Sequence, residues 1–136
     1  MNKIGIYIMF ICFSFWGLKA QQCNIIYVST NGVDTGIVGT MDNPTSLAHA
    51  IALFSTQNKT LHISAGTYTL DSSIHLQNDM QLIGGFDPVS WEKTNGANTI
   101  FFRSSLNMDT NPNRIVCIYG NGVNNFLIQD IEVNTA

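Results

Sequence analysis

The sequence predicts an all-β solenoid, a stack of short coils whose open first turn is covered by one α-helix. Three observations predict it. From Asn24 onward, short apolar runs alternate with turn-forming Asn, Gly, Asp and Ser. A single segment, 47–54, spaces its apolar residues for a helix rather than a strand. Runs centred on His62, Leu82, Phe101, Cys117 and Glu132 then follow at intervals of 20, 19, 16 and 15 residues. That interval is about one coil of a solenoid with two or three strands per turn.

The elements follow in chain order. Residues 1–20 read as a cleavable export signal: Lys3 supplies a positive start, 4–16 an apolar core, and Ala20 a small residue at the exit. The apolar core is shorter than the roughly 20 residues that span a bilayer, so a transmembrane anchor is not expected. The mature domain is expected over 21–136, exported to the medium or the cell surface. Ile25-Ile26-Tyr27-Val28 is the first strand, and 31–43 is a loop rich in Gly and Asp. Leu47, Ala50, Ile51 and Phe54 fall at i, i+3, i+4 and i+7, with Thr45 or Ser46 able to cap the helix.

After the helix the period changes to two. Strands are expected at 61–63, 67–70, 74–76, 81–83, 99–102, 115–118, 126–128 and 131–133, with no second helix among them. Without interleaved helices a βαβ layer fold is disfavoured. The rival architecture is a β-sandwich with one crossover helix. Because 131–133 would leave an uncovered coil, the domain is expected to continue into downstream coils of a longer chain.

Charge narrows the partners. All nine acidic residues follow Ala20, while Lys59, Lys93, Arg103 and Arg114 are the four cations left, a mature net charge of about −5. Four scattered cations make no footprint for nucleic acid. Acidic polymers would be repelled unless a divalent cation bridged them. Cys23 and Cys117 remain after export; Cys117 lies in an apolar run, where a buried free thiol is expected rather than a disulfide.

Several segments resemble a known group. Tyr27-Val28-Ser29-Thr30-Asn31-Gly32 with Asp34, Gly39-Thr40, Asn43-Pro44 and Ala50-Ile51 resemble the opening of secreted right-handed parallel β-helix proteins of the pectate-lyase-like superfamily. Ala65-Gly66-Thr67-Tyr68 suits the same group. Leu82-Ile83-Gly84-Gly85-Phe86, then Trp91 and Thr99-Ile100, resemble the first coils of surface proteins, including adhesin-like ones, of Bacteroidetes-type bacteria. The resemblance implies a right-handed parallel β-helix whose catalytic face, where there is one, is built by later coils.

Lyases of that superfamily hold Ca²⁺ on clustered carboxylates beside a Lys or Arg base. Asp71, Asp79 and Asp87 recur every eight residues, but in turns, where such residues close side chain–backbone bonds. Asp34 and Asp42, in one loop, are the better cation candidates; otherwise no cofactor is expected. His49, His62 and His75 lie thirteen apart without carboxylates at ligand spacing, and are expected as surface or cap residues. Trp91 and Arg103 are the candidate glycan contacts; the bland expectations are a Trp91 packed back on its coil and an Arg103 on a solvated edge. Two functions remain: a noncatalytic contact with extracellular glycans or a host or cell surface, and the N-terminal part of a polysaccharide lyase or hydrolase with its active site in later coils.

Overall fold

A computed structural model describes residues 24–54 and 60–136. The expected export signal, Cys23 and Lys59 lie outside the described residues. Among the described residues one α-helix, α1 (Leu47–Leu53), and one 3₁₀ turn, Ser105–Asn107, accompany eleven strands: β1 (Ile25–Val28), β2 (Thr60–Ser64), β3 (Gly66–Thr69), β4 (Ile74–His75), β5 (Gln81–Phe86), β6 (Thr99–Arg103), β7 (Asp109–Thr110), β8 (Asn113–Arg114), β9 (Ile118–Tyr119), β10 (Leu127–Gln129) and β11 (Ile131–Thr135). Among the described residues no helix is long and apolar enough to cross a membrane.

The strands form three parallel sheets and one small antiparallel pair, β7–β8. The first sheet runs β1-β2-β5-β10, the second β11-β6-β3, and the third pairs β4 with β9. Register makes ladders of like residues. Ile26, Leu61, Leu82 and Ile128 lie side by side across the first sheet, and the next row is Tyr27, His62, Ile83 and Gln129. Alternation puts the first row inside and the second outside. Tyr68, Phe101 and Val133 form the matching inner row of the second sheet. Apart from the exposed Val133, both rows join or pack against Leu70, Ile74, Leu76 and Met80 in one core, each buried aliphatic side chain stabilising the fold by about 1.5–3 kcal/mol.

The spacing of the sequence runs does not map onto one sheet. His62 and Leu82 lie in the first sheet and Phe101 and Glu132 in the second, while Cys117 lies outside the strands. The partner of Thr60 is Gln81, 21 residues on, but Gln81 pairs with Leu127. Between those two strands the chain makes long excursions, 87–98 and 104–117, that periodicity cannot see. The strand expected over 115–118 shrinks to Ile118–Tyr119.

Where β2 turns into β3, buried polar side chains hold the bend. The Ser64 and Tyr68 hydroxyls lie 3.0 Å apart, and Tyr68 also donates to the Ser64 carbonyl at 3.0 Å. Burial pushes the Tyr68 phenol up to about 12. Thr99 accepts from the Gly85 amide at 2.8 Å and donates to the Ser64 carbonyl at 3.1 Å. Each of these groups would be costly to bury unpaired.

The two outer sides of the sheets differ. On the β1 side, the loop 31–45 supplies partners: Tyr27 donates to the Gly39 carbonyl and Ser29 to the Thr45 carbonyl, both at 3.0 Å, and Thr45 donates back to Tyr27 at 2.9 Å. Gly32 is required there, because a Cβ would lie 2.1 Å from the Thr45 carbonyl carbon. Ser46 caps α1, accepting from the His49 amide at 3.2 Å. Leu47 and Ala50 are buried, and Ile51 and Phe54 pack against the core, so the expected helix face is the observed one. On the other side, no strand among the described residues pairs with the outer edge of β10 or β11.

Candidate functional site

The most chemically varied surface lies where β5 bends toward β6. Gly84 makes that bend possible, because a Cβ there would approach the Asp130 carbonyl oxygen to 2.3 Å and the Thr99 Cβ to 2.7 Å. Gly85 follows with φ +78°, a left-handed conformation that suits glycine. The loop 87–98 then leaves the sheet. The Asp87 carboxylate starts it by accepting from the Val89 and Ser90 amides at 2.9 and 2.8 Å, which holds its pKa below the usual value.

Trp91 swings back from this loop and is only 7% exposed. Its indole N–H donates to the Met41 carbonyl at 3.1 Å, and its ring meets Tyr27 edge-on at 4.8 Å. It therefore ties the 87–98 loop to the 31–45 loop. Trp91 is thus packed back on the protein, the blander of its two expectations, with its ring covered by the two loops.

Beside it, the His62 imidazole stacks on Phe86 at 4.3 Å and meets Tyr27 edge-on at 5.6 Å. The expectation of an ordinary surface histidine gives way to a half-buried ring in an aromatic row. Burial lowers its pKa first, and the Lys93 charge lowers it further. Lys93 Nζ lies 5.0 Å from the Phe86 ring centre and forms an ion pair with Asp130, holding that carboxyl below its ordinary range.

Lys93 and Asp130 also wall a recess of about 470 Å³, together with Asn95, Asn98 and Glu132. Amides, one ammonium and two carboxylates on an open concave surface can hydrogen-bond hydroxyl groups from several directions. Sequence reasoning missed this group because Lys93 and Asp130 belong to different turns, 37 residues apart. Only Gly84-Gly85 hinted that chain segments approach closely there.

Of the two cation candidates, Asp34 is used structurally. Asp34 accepts from Thr45 Oγ1 and the Ser46 amide at 3.0 Å and from Ser46 Oγ at 2.9 Å; the amide bond is the chief reason its pKa is lowered. Its carboxylate thus secures the N-cap of α1. Asp42 is exposed. Neither belongs to a group of three or more His, Cys, Asp or Glu able to hold a metal ion, and none occurs among the described residues.

Arg103 departs furthest from expectation. It is 2% exposed rather than on a solvated edge. Its guanidinium donates to the Asn107 carbonyl at 2.9 Å, Ser73 Oγ at 2.8 Å, the Val116 carbonyl and Asp109 Oδ1 at 2.8 Å. Asp109 in turn accepts from Arg114 at 3.1 Å. Arg103 is the post around which 104–116 wraps, its guanidinium bonded within the protein. Cys117 is buried and free, as expected. No protein-family model, curated protein or solved structure matches this chain.

Proposed function

We propose that this chain is the covered N-terminal end and first coils of a right-handed parallel β-helix on a secreted or cell-surface protein, making noncatalytic contact with glycans. The observation that carries this reading is the order of pairing. β2, β3 and β4 are followed by β5, β6 and β9, each parallel to its counterpart, and then by β10 and β11 on the first two. A chain visiting three parallel sheets in a fixed order is winding. Right-handedness follows from the strong bias of parallel crossovers.

The recess at Lys93, Asn95, Asn98 and Glu132 is the surface suited to a glycan. A mature charge of about −5 favours neutral sugars over uronates. Noncatalytic contact is favoured over cleavage because Lys93, the cation lining the recess, is already committed to Asp130.

The test is a glycan array and calorimetry on the secreted protein with neutral and acidic oligosaccharides, plus a screen for unsaturated products with and without Ca²⁺. Saturable binding of a neutral glycan, weakened by Asn98→Ala and without products, is the expected result. Ca²⁺-dependent cleavage would instead identify a polysaccharide lyase.

A further inference from the structure

A second concavity lies between α1 and β3, about 390 Å³ in volume and remote in sequence from the recess above. Leu47, Ala48 and Ile51 of the helix form one wall, and Thr67 and Thr69 of the strand form the other, with Asp71 at the end of the strand. β3 is the outermost strand of its sheet. Its bonds to β6 use one set of residues: Gly66 donates to the Asn98 carbonyl at 2.9 Å and Leu70 to the Phe102 carbonyl at 2.8 Å. Alternate residues of a parallel strand address opposite neighbours, so the amides and carbonyls of Thr67 and Thr69 face away from β6.

That free edge contrasts with the β1 edge, whose donors are taken up by the 31–45 loop. Helix α1 packs on β1, and among the described residues no strand pairs with the β3 edge beside it. The groove is also one-signed. Asp71 borders it, Asp34 is bonded to its lining residue Ser46, and no Lys or Arg is among its described lining residues. We propose that this groove binds an extended, basic peptide segment of a partner protein, which adds to β3 as a fourth strand of its sheet.

The chemistry specifies the ligand. Peptide backbone satisfies the donors and acceptors of Thr67 and Thr69, as in other cases of strand addition. Side chains on one face of the added strand lie against Leu47 and Ile51, so they are apolar at every second position. A lysine or arginine beyond them meets Asp71. β3 is four residues long, so it pairs with about four extended residues at about 3.3 Å each. This inference rests on the order of the second sheet and is independent of glycan binding at the Lys93 recess.

The experiment is fluorescence anisotropy with the full mature protein and a labelled peptide, Val-Thr-Val-Thr-Val-Lys-Lys. Saturable binding is expected, weakened about tenfold when alternate amides of the probe are N-methylated, since two backbone bonds are lost. Thr67→Pro removes one edge donor and should weaken binding similarly. Ala48→Arg, on an exposed helix position, should block the groove and repel the probe while leaving the melting temperature unchanged; it decides the matter if Thr67→Pro fails to fold. Asp71→Asn should cost about threefold and flatten the salt dependence. Failure of the probe to bind at millimolar concentration, equal affinity for the methylated probe, indifference to Ala48→Arg, or displacement of the probe by a neutral oligosaccharide would each overturn the proposal.

Discussion

The β1 side of the molecule and the β10–β11 side are built from the same kind of residue, yet they end differently. Met80 and Phe126 each precede a strand of the first sheet, in neighbouring layers linked by the Leu127 amide donating to the Met80 carbonyl at 2.9 Å. Met80 is 0% exposed and Phe126 is 48% exposed. Phe101 and Val133 are register neighbours in the second sheet, at 0% and 47%. On the β1 side, by contrast, Val28 is fully buried beneath Thr45 and α1. Among the described residues, burial here is decided by whether another layer packs on the side chain, not by residue type.

Five expectations break or sharpen this contrast, the largest first. Ala50→Asp places an unpaired carboxylate under α1 and should cost about 3 kcal/mol or more. A melting temperature equal to the parent's would show that α1 covers nothing. Phe101→Ala should cost about 3–5 kcal/mol, whereas Val133→Ala, half in water, should cost about 1 kcal/mol or less. Equal losses in denaturant melts would mean that the two layers are equally covered in solution.

Two smaller effects concern the covered side. Ser46→Ala removes the cap of α1 and should cost about 1 kcal/mol. Asp34, bonded to Ser46, has a folded pKa below its ordinary 3.8. The unfolded chain therefore takes up its proton first on acidification, and stability present above pH 3.8 is lost as pH falls through the folded value. Asp34→Asn should flatten that part of the acid-denaturation curve.

The smallest effect is at His62, whose folded pKa lies below its ordinary 6.5. Its neutral form is the one that fits between Tyr27 and Phe86. Stability contributed above pH 6.5 should diminish as pH falls from there through the folded value, a slope that His62→Gln removes. If the slope persists in that variant, another group titrates in this window.

Much was legible locally. The 3.6-residue pattern of Leu47, Ala50, Ile51 and Phe54 located both the helix and its buried face, and Ile25–Val28 was found residue for residue. Short strands bounded by turn formers marked β2, β5 and β6 to within a few residues. These are consequences of side-chain direction and backbone propensity, which act within a few positions of the chain. The acidity of the domain was likewise a matter of counting.

What the sequence could not show was which strands are neighbours, and with that the fate of each functional candidate. Arg103 carries no local sign of burial; Asp109 and Val116 bond it from the segment that wraps around it, and Ser73 from 30 residues earlier in the chain. Trp91 is turned from a candidate sugar platform into a clamp by Met41 and Tyr27, both far away along the chain. Lys93 meets Asp130 because Gly84 lets two layers approach. Composition and periodicity determined the elements and their buried faces, because those follow from local geometry. Register between strands determined the site, because parallel neighbours are distant in sequence and are selected by long-range packing.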